Sequence, residues 1–561
     1  MNKWFFRVVY ALLIFLLAVF STCCREGQNF DLLIRNGKII DGTGNPWFYG
    51  DVGIKGDTIL AVGHLEGRTA RRIIDARNLV VAPGFIDIHT HCDFGLGSLP
   101  TNSNSNYLTQ GVTTVVTGNC GSGTFEIADT KSRWEKQGIG TNAALQVGFG
   151  TVRKAILGEE GRAPTPEELE KMKSLVRKAM KEGAWGMSTG LMYIPDRYAS
   201  TEELLELVKI VAEFDGIFNS HQRNEEERLV EAVKETIRIG EMTGVSINAA
   251  HFKAAGKNNF GKLIEATRLI NEARSKGIDM TADMYPYDKA ATAPLSSIFN
   301  IPRGMKPLAD LEIKIADEKT PDSEKAQLAG QAANELAKVL ADPEKRQQIR
   351  KLTLEGDPEK VNWVVVEGWH NFAIVNAQKN TALIGKIFSD LAQEQGRDPF
   401  DLAADLFREE KNDIVISVCV MSEDDMKYAL PQDWLMISSD GESVRFGEGL
   451  VHPRNYGSFC RVLGKYVRDE KVLTLEQAVR KMTSLPARLL RLKDRGLLLK
   501  GYKADIVLFD AEKVKDNATY LQPHQYSSGL EWVLVNGQPA IENGRLLNIL
   551  PGKVLLRTEN R

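Results

Sequence analysis

Cysteine is scarce in this chain of 561 residues: six occur, at positions 23, 24, 92, 120, 419 and 460. So few, so scattered, cannot form the disulfide framework that holds small secreted domains together, and each thiol needs its own explanation. Net charge is also small, −3 at neutral pH, which removes any general electrostatic attraction to nucleic acid or to an anionic membrane surface. Internal repeats and low-complexity tracts are missing, which argues against a repeat array or an extended linker. With 43% hydrophobic and 26% charged residues the composition is that of a globular protein with a large core, and small-molecule chemistry is the favoured role.

A long apolar run stands at the N-terminus, from Val8 to Phe20. It falls short of the about 20 residues needed to cross a bilayer. Lys3 and Arg7 precede it and Ser21-Thr22-Cys23-Cys24 follows, so residues 1–24 read as an export signal. This segment resembles a bacterial lipoprotein signal, although Phe20 and Thr22 are not the usual residues before the acylated cysteine. The expected location is outside the cytoplasm, periplasmic or membrane-anchored through lipid on Cys23 or Cys24.

Beyond that signal, both ends of the chain are rich in short strands. Asn36-Gly37 between Asp31-Leu-Leu-Ile-Arg35 and Lys38-Ile-Ile-Asp41 predicts a type I′ hairpin, and Asn536-Gly537 after Trp532-Val-Leu-Val535 repeats the texture. Residues 30–82 and 497–555 are therefore expected to form one small β domain, a β-sandwich built from both ends. Between them apolar runs near 85–91, 113–120, 143–149, 185–190, 217–221, 246–251, 279–285 and 435–440 alternate with amphipathic helices. Thr165-Pro166-Glu167-Glu168 and Ser200-Thr201-Glu202-Glu203 read as capping boxes. The pattern predicts a (β/α)₈ barrel over 83–496, with an insertion of about 292–430 before the last strand that includes the apolar run Trp363-Val-Val-Val366.

Histidines mark the ends of these runs. Phe85-Ile-Asp-Ile-His89-Thr-His91 ends in His-X-His, a spacing that puts two imidazoles on one face of a strand. His221 closes Gly216-Ile-Phe-Asn-Ser-His221, and His251 closes Val245-Ser-Ile-Asn-Ala-Ala-His251. Four of the eight histidines in the chain thus end barrel strands, where barrel enzymes carry their chemistry, and a metal site is expected there. Asp440, in Trp434-Leu-Met-Ile-Ser-Ser-Asp440-Gly, ends the eighth strand and is the candidate proton-transfer group.

His-X-His on the first strand, histidines ending the fifth and sixth, and aspartate ending the eighth resemble the amidohydrolase superfamily over nearly all of the chain after residue 24. Many members bridge two metals with a modified lysine on the fourth strand. Here that strand reads Ala184-Trp-Gly-Met-Ser-Thr-Gly190, without lysine, while Gly118-Asn119-Cys120-Gly121 closes the second. This departure resembles the N-acyl-D-amino-acid deacylases, or D-aminoacylases. The resemblance implies a tightly held zinc on Cys120, His221 and His251, with His89 and His91 as ligands of a second, weaker metal. His251-Phe-Lys253, Asp283-Met-Tyr285-Pro-Tyr287 and His452-Pro-Arg454-Asn-Tyr-Gly457 also resemble that family, which implies that Lys253, Tyr285 and Arg454 hold the substrate carboxylate. One position departs: Ala291, followed by Thr292, stands where the family pattern has serine. The implied reaction is zinc-dependent hydrolysis of small-molecule N-acyl-D-amino acids. The alternatives are another amidohydrolase, acting on a dipeptide or cyclic amide, and a non-catalytic exported ligand-binding barrel.

Overall fold

The computed structural model describes residues 30–316, 322–356, 363–449 and 451–560; the expected export signal and Cys23 and Cys24 lie outside them. No helix among the described residues is long and apolar enough to cross a membrane.

Strands from both ends of the chain join in one nine-stranded sheet, linked where Val80–Pro83 runs antiparallel to Ile506–Phe509. Leu32, Ile34, Val52, Ile59, Ile506 and Leu534 are among the side chains of its core. The two Asn-Gly pairs behave differently. Asn536 and Gly537, both with positive φ, make the expected two-residue hairpin between Leu530–Val535 and Gln538–Glu542. Asn36-Gly37 does not turn the chain: it is a bulge within the single strand Phe30–Ile39. The segment before the bulge pairs with Ala70–Asp75 and the segment after it with Val80–Pro83. Sheet neighbours on both sides thus override the local turn preference, and Gly37 is required because a Cβ there would lie 2.4 Å from Val81 Cγ2.

The barrel strands, in order, are Phe85–Asp87, Val112–Thr117, Asn142–Leu145 continued by Val147–Gly148, Gly186–Gly190, Ile217–His221, Ser246–Ala249, Met280–Met284 and Leu435–Ile437. All pair in parallel. The eighth returns to the first through Thr90 beside Gly441, with Asp440 N donating to His89 O at 2.9 Å and His91 N to Gly441 O at 2.7 Å. The barrel is thereby closed next to the residues expected to do its chemistry. Val554–Leu555 leaves the terminal sheet and pairs with the third barrel strand, so the last part of the chain braces the barrel.

Thr165 forms the full capping box of helix Pro166–Glu182. Ser200 caps Thr201–Glu213, but Glu203 turns its side chain to the buried Arg153 instead of closing the box. The segment between the last two barrel strands starts earlier and ends earlier than about 292–430. Lys289–Pro294, Val415–Val420 and Phe372–Asn376 form an antiparallel sheet that carries its own helices and apolar core. Glu423–Ala429, by contrast, packs on barrel helix Lys262–Ser275 as an ordinary crossover helix.

Candidate metal centre and catalytic cleft

Few of the chemical residues sit on regular strand. His221 ends its strand, whereas His89, His91, Cys120, His251 and Asp440 lie just past the regular strand that carries each of them. Cys120, His251 and Asp440 have φ values of 51°, 32° and 52°, a left-handed backbone that non-glycine residues rarely adopt and that clusters at functional sites. The turn carrying Cys120 also depends on Gly118, at φ 84°, whose Cβ would meet the backbone oxygen of Gln146 at 2.4 Å.

The donor atoms converge. Cys120 Sγ lies 3.4 Å from His221 Nδ1 and 3.7 Å from His251 Nε2, and those two nitrogens are 2.8 Å apart. Tetrahedral zinc, with bonds of about 2.3 Å to sulfur and 2.05 Å to nitrogen, separates sulfur from nitrogen by about 3.5 Å. The thiol and imidazoles therefore fit zinc in chemistry and in their sulfur–nitrogen spacing, while the two nitrogens, at 2.8 Å, must part to the about 3.3 Å that tetrahedral zinc sets between them. Burial, reinforced by His251 for His221 and by Lys253 for His251, holds both imidazoles well below the ordinary histidine range, in the neutral form that binds metal. His89, His91 and Cys120 form a second donor group, and His89, His251 and Asp440 a third.

Asp440 joins these groups. Its Oδ1 is 3.1 Å from His91 Nε2 and 3.3 Å from His89 Nε2, and its Oδ2 accepts from Arg454 Nη1 at 2.8 Å. Burial opposes its charge, but Arg454 and the histidines outweigh it and keep the carboxyl well below the usual range. Arg454 Nη1 also donates to Ala290 O, and His452 Nδ1 accepts from its backbone N–H at 3.0 Å.

Four carboxylates that sequence reasoning left without a role complete the site. Buried Asp283 accepts from His251 N at 3.0 Å, Ser438 Oγ at 2.7 Å and Asn248 Nδ2 at 2.6 Å, and its Oδ1 lies 3.5 Å from His89 Nδ1. It orients two candidate ligands. Glu225 lies 2.8 Å from His251 Nδ1 and 2.7 Å from Lys253 Nζ. Glu226, behind it, is pushed up to about 9 by burial and then by Glu367, whose carboxyl shares a hydrogen bond with it. The position of Asp283 at a strand end was a signal for the first. Glu226 and Glu367 meet only because the insertion folds back, and no local pattern announces that.

The cleft above these groups encloses about 340 Å³. Lys253, Arg454, Asp440, Cys120, His91, His221 and His251 all line it, with Ser122, Met192 and Tyr193 from the loops after the second and fourth strands. The insertion adds Ala290, Ala291, Trp363, Glu367 and Val418. Tyr285 is not in this wall: it is buried beneath, its ring 5.7 Å from Lys253 Nζ and 5.1 Å from the Arg454 guanidinium carbon. Cys92 is buried, faces Asn104 and belongs to none of the donor groups.

The amidohydrolase family model matches residues 72–236 and 389–541. D-aminoacylase of Alcaligenes xylosoxydans xylosoxydans is 33% identical over 556 residues, covering 95% of this chain and 99% of that one. A crystal structure of D-aminoacylase superposes with a TM-score of 0.72 at 31% identity, covering 94% of this chain and all of the other. N-acyl-D-glutamate deacylase from Bordetella bronchiseptica, solved with zinc and a phosphonate inhibitor, gives a TM-score of 0.70 at 29% identity, with 94% of this chain and 100% of that one covered. This chain belongs to the amidohydrolase family, on its D-aminoacylase branch.

Proposed function

We propose that the protein hydrolyses N-acyl-D-amino acids to a carboxylate and a free D-amino acid, using zinc held by Cys120, His221 and His251. The observation that carries this reading is the convergence of a thiol, two neutral imidazoles and an ionised Asp440 on one cleft that also holds Lys253 and Arg454. The D configuration rests on the similarity to D-aminoacylase and N-acyl-D-glutamate deacylase.

Zinc supplies Lewis acidity toward the amide carbonyl and toward water. The chain's own groups do the rest. Arg454 fixes Asp440 through Oδ2, which leaves Oδ1 facing the histidines as the proton acceptor. Asp440 takes a proton from the attacking water and returns it to the leaving nitrogen, so that the C–N bond breaks as a neutral amine departs. Lys253 and the unused Nε and Nη2 of Arg454 offer two cationic contacts to the substrate carboxylate, and arginine can grip it with two bonds. Glu225 and Asp283 hold His251 and His89 in register. Metal analysis of purified protein, with turnover of N-acetyl-D- and N-acetyl-L-amino acids, tests this reading. Zinc-dependent cleavage of the D series is expected, and cleavage of neither series overturns it.

A further inference from the structure

The loops after the fourth and fifth barrel strands enclose a second cavity of about 270 Å³, next to the catalytic cleft. Met192 lines both. The short helix Trp363–Glu367 also separates them: Trp363 and Glu367, one turn apart, line the cleft, while Val365 lines the second cavity. The wall of this cavity carries three guanidinium groups, Arg197, Arg223 and Arg228, with Asn224 and no acidic residue.

Only one of the three cations is neutralised. Arg223 grips Glu235 with two bonds of 2.9 Å, and its Nη1 donates to Arg197 O at 3.2 Å, which ties the two loops together. Arg197 and Arg228 meet no carboxylate among the described residues. Asn224 Oδ1 accepts from the backbone N–H of Glu226 at 3.0 Å and of Arg228 at 2.8 Å. That turn delivers Arg228 to the N-terminus of the 15-residue helix Leu229–Thr243, where the helix dipole adds to the positive field. Arg197 and Arg228 are exposed and Arg223 is half-buried, so the cavity opens to solvent, and the planar forks of its guanidinium groups suit a carboxylate arriving there.

The fourth and fifth strands lie across the barrel mouth from the eighth, after which Arg454 opens the helix Arg454–Arg461. A substrate with its α-carboxylate on Arg454 can extend its other end across the mouth toward Met192, which lines both cavities. We propose that the arginine-lined cavity receives a second carboxylate, carried by the acyl group, so that the preferred substrates are D-amino acids acylated with a dicarboxylic acid. This inference rests on the deacylase reading.

The test compares N-succinyl-D-leucine with N-butyryl-D-leucine, which lacks the acyl carboxylate, and N-acetyl-D-glutamate with N-acetyl-D-glutamine, on the zinc-loaded enzyme and on the double variant Arg197→Gln/Arg228→Gln. The ratio of kcat/KM for succinyl over butyryl should be at least about tenfold in the unmodified enzyme and should collapse toward one in the variant, as loss of charge-assisted bonds requires. A ratio near one in the unmodified enzyme, or one that the variant leaves intact, overturns the proposal. If the acid advantage instead falls on glutamate over glutamine and is lost in the variant, the side chain rather than the acyl group reaches the cavity, and the acyl assignment is overturned. If no compound is cleaved, the deacylase reading fails, and calorimetric titration with succinate still decides the cavity. Weaker binding by the variant supports an anion site there, and equal binding overturns it.

Discussion

Arg454 Nη1 holds Asp440 Oδ2 at 2.8 Å, and this bond decides which carboxylate oxygen remains for proton transfer. The same nitrogen donates to Ala290 O, so a single guanidinium orients Asp440 and anchors the start of the insertion, and in the proposed reaction its Nε and Nη2 are left for the substrate. Lysine, with one compact ammonium, cannot make these contacts together. Arg454→Lys should therefore lower kcat/KM by about 10- to 100-fold, with a rise in KM as well as a fall in kcat. Steady-state kinetics with one N-acyl-D-amino acid check this; an unchanged KM would mean that Arg454 serves Asp440 alone.

Cys120 is the residue that distinguishes this site from one bridged by a fourth-strand lysine, and its thiol lies within 3.7 Å of both His221 and His251. Cys120→Ala removes one of three donors and should weaken zinc binding by at least about 100-fold, with activity falling in proportion. Zinc stoichiometry after dialysis against a weak chelator, measured beside activity, reads both. Full zinc and full rate in the variant would make the cysteine a packing residue.

Glu226 and Glu367 share a hydrogen bond in a buried setting, and Glu226 is pushed up to about 9. A carboxyl raised in the folded state contributes stability that is fully present below its unfolded value, about 4.3, and is lost as pH rises through 9. Glutamine keeps the shape and a donor for Glu367 but cannot ionise. Tm of Glu226→Gln should match the unmodified protein near pH 5 and exceed it by on the order of 1–3 °C near pH 9. Parallel Tm profiles across that range would show that the pair holds no shared proton.

The strand-end histidines were legible because an apolar run that stops at histidine combines two signals, period and chemistry, in consecutive residues. Asp440 was legible from its place at the end of the eighth apolar run, whereas Cys120 was legible only with the family pattern beside it, since a buried cysteine is common on its own. Asn36-Gly37 misled because turn preference is local, whereas the fate of that pair was set by Ala70–Asp75 and Val80–Pro83 on either side. Glu225 stands in an acidic run, Glu225-Glu226-Glu227, of which the fold buries the first two and leaves the third exposed, a difference no local pattern marks. The sheet of the insertion brings Lys289–Pro294 against Val415–Val420 across more than a hundred residues, a separation that no periodicity spans.

Export is motivated by Lys3, Arg7 and the apolar run up to Phe20. Intact-mass analysis of the native protein should show the residues before Cys23 or Cys24 removed, with added lipid mass if either cysteine is acylated. A cytoplasmic product that starts at Met1 would refute it.

Asp440 is the residue whose substitution separates chemistry from metal binding. Cys120, His221 and His251 already supply three donors, which leaves one tetrahedral position open in a zinc site. Asparagine nearly copies the shape of Asp440 and can still accept from Arg454, but it cannot take up a proton and return it at neutral pH. Loss of a positioned general acid/base costs on the order of 10²- to 10⁴-fold in rate. Asp440→Asn should therefore fold, keep its tightly bound zinc, and lose at least about 100-fold in kcat while KM changes much less. Zinc content and kcat measured on one preparation distinguish the outcomes. Zinc lost in step with activity would make Asp440 chiefly a ligand, joined to His89 and His251 in the third donor group. An unchanged kcat would move the search for the base to the other carboxylate that lines the cleft close to His251, Glu225.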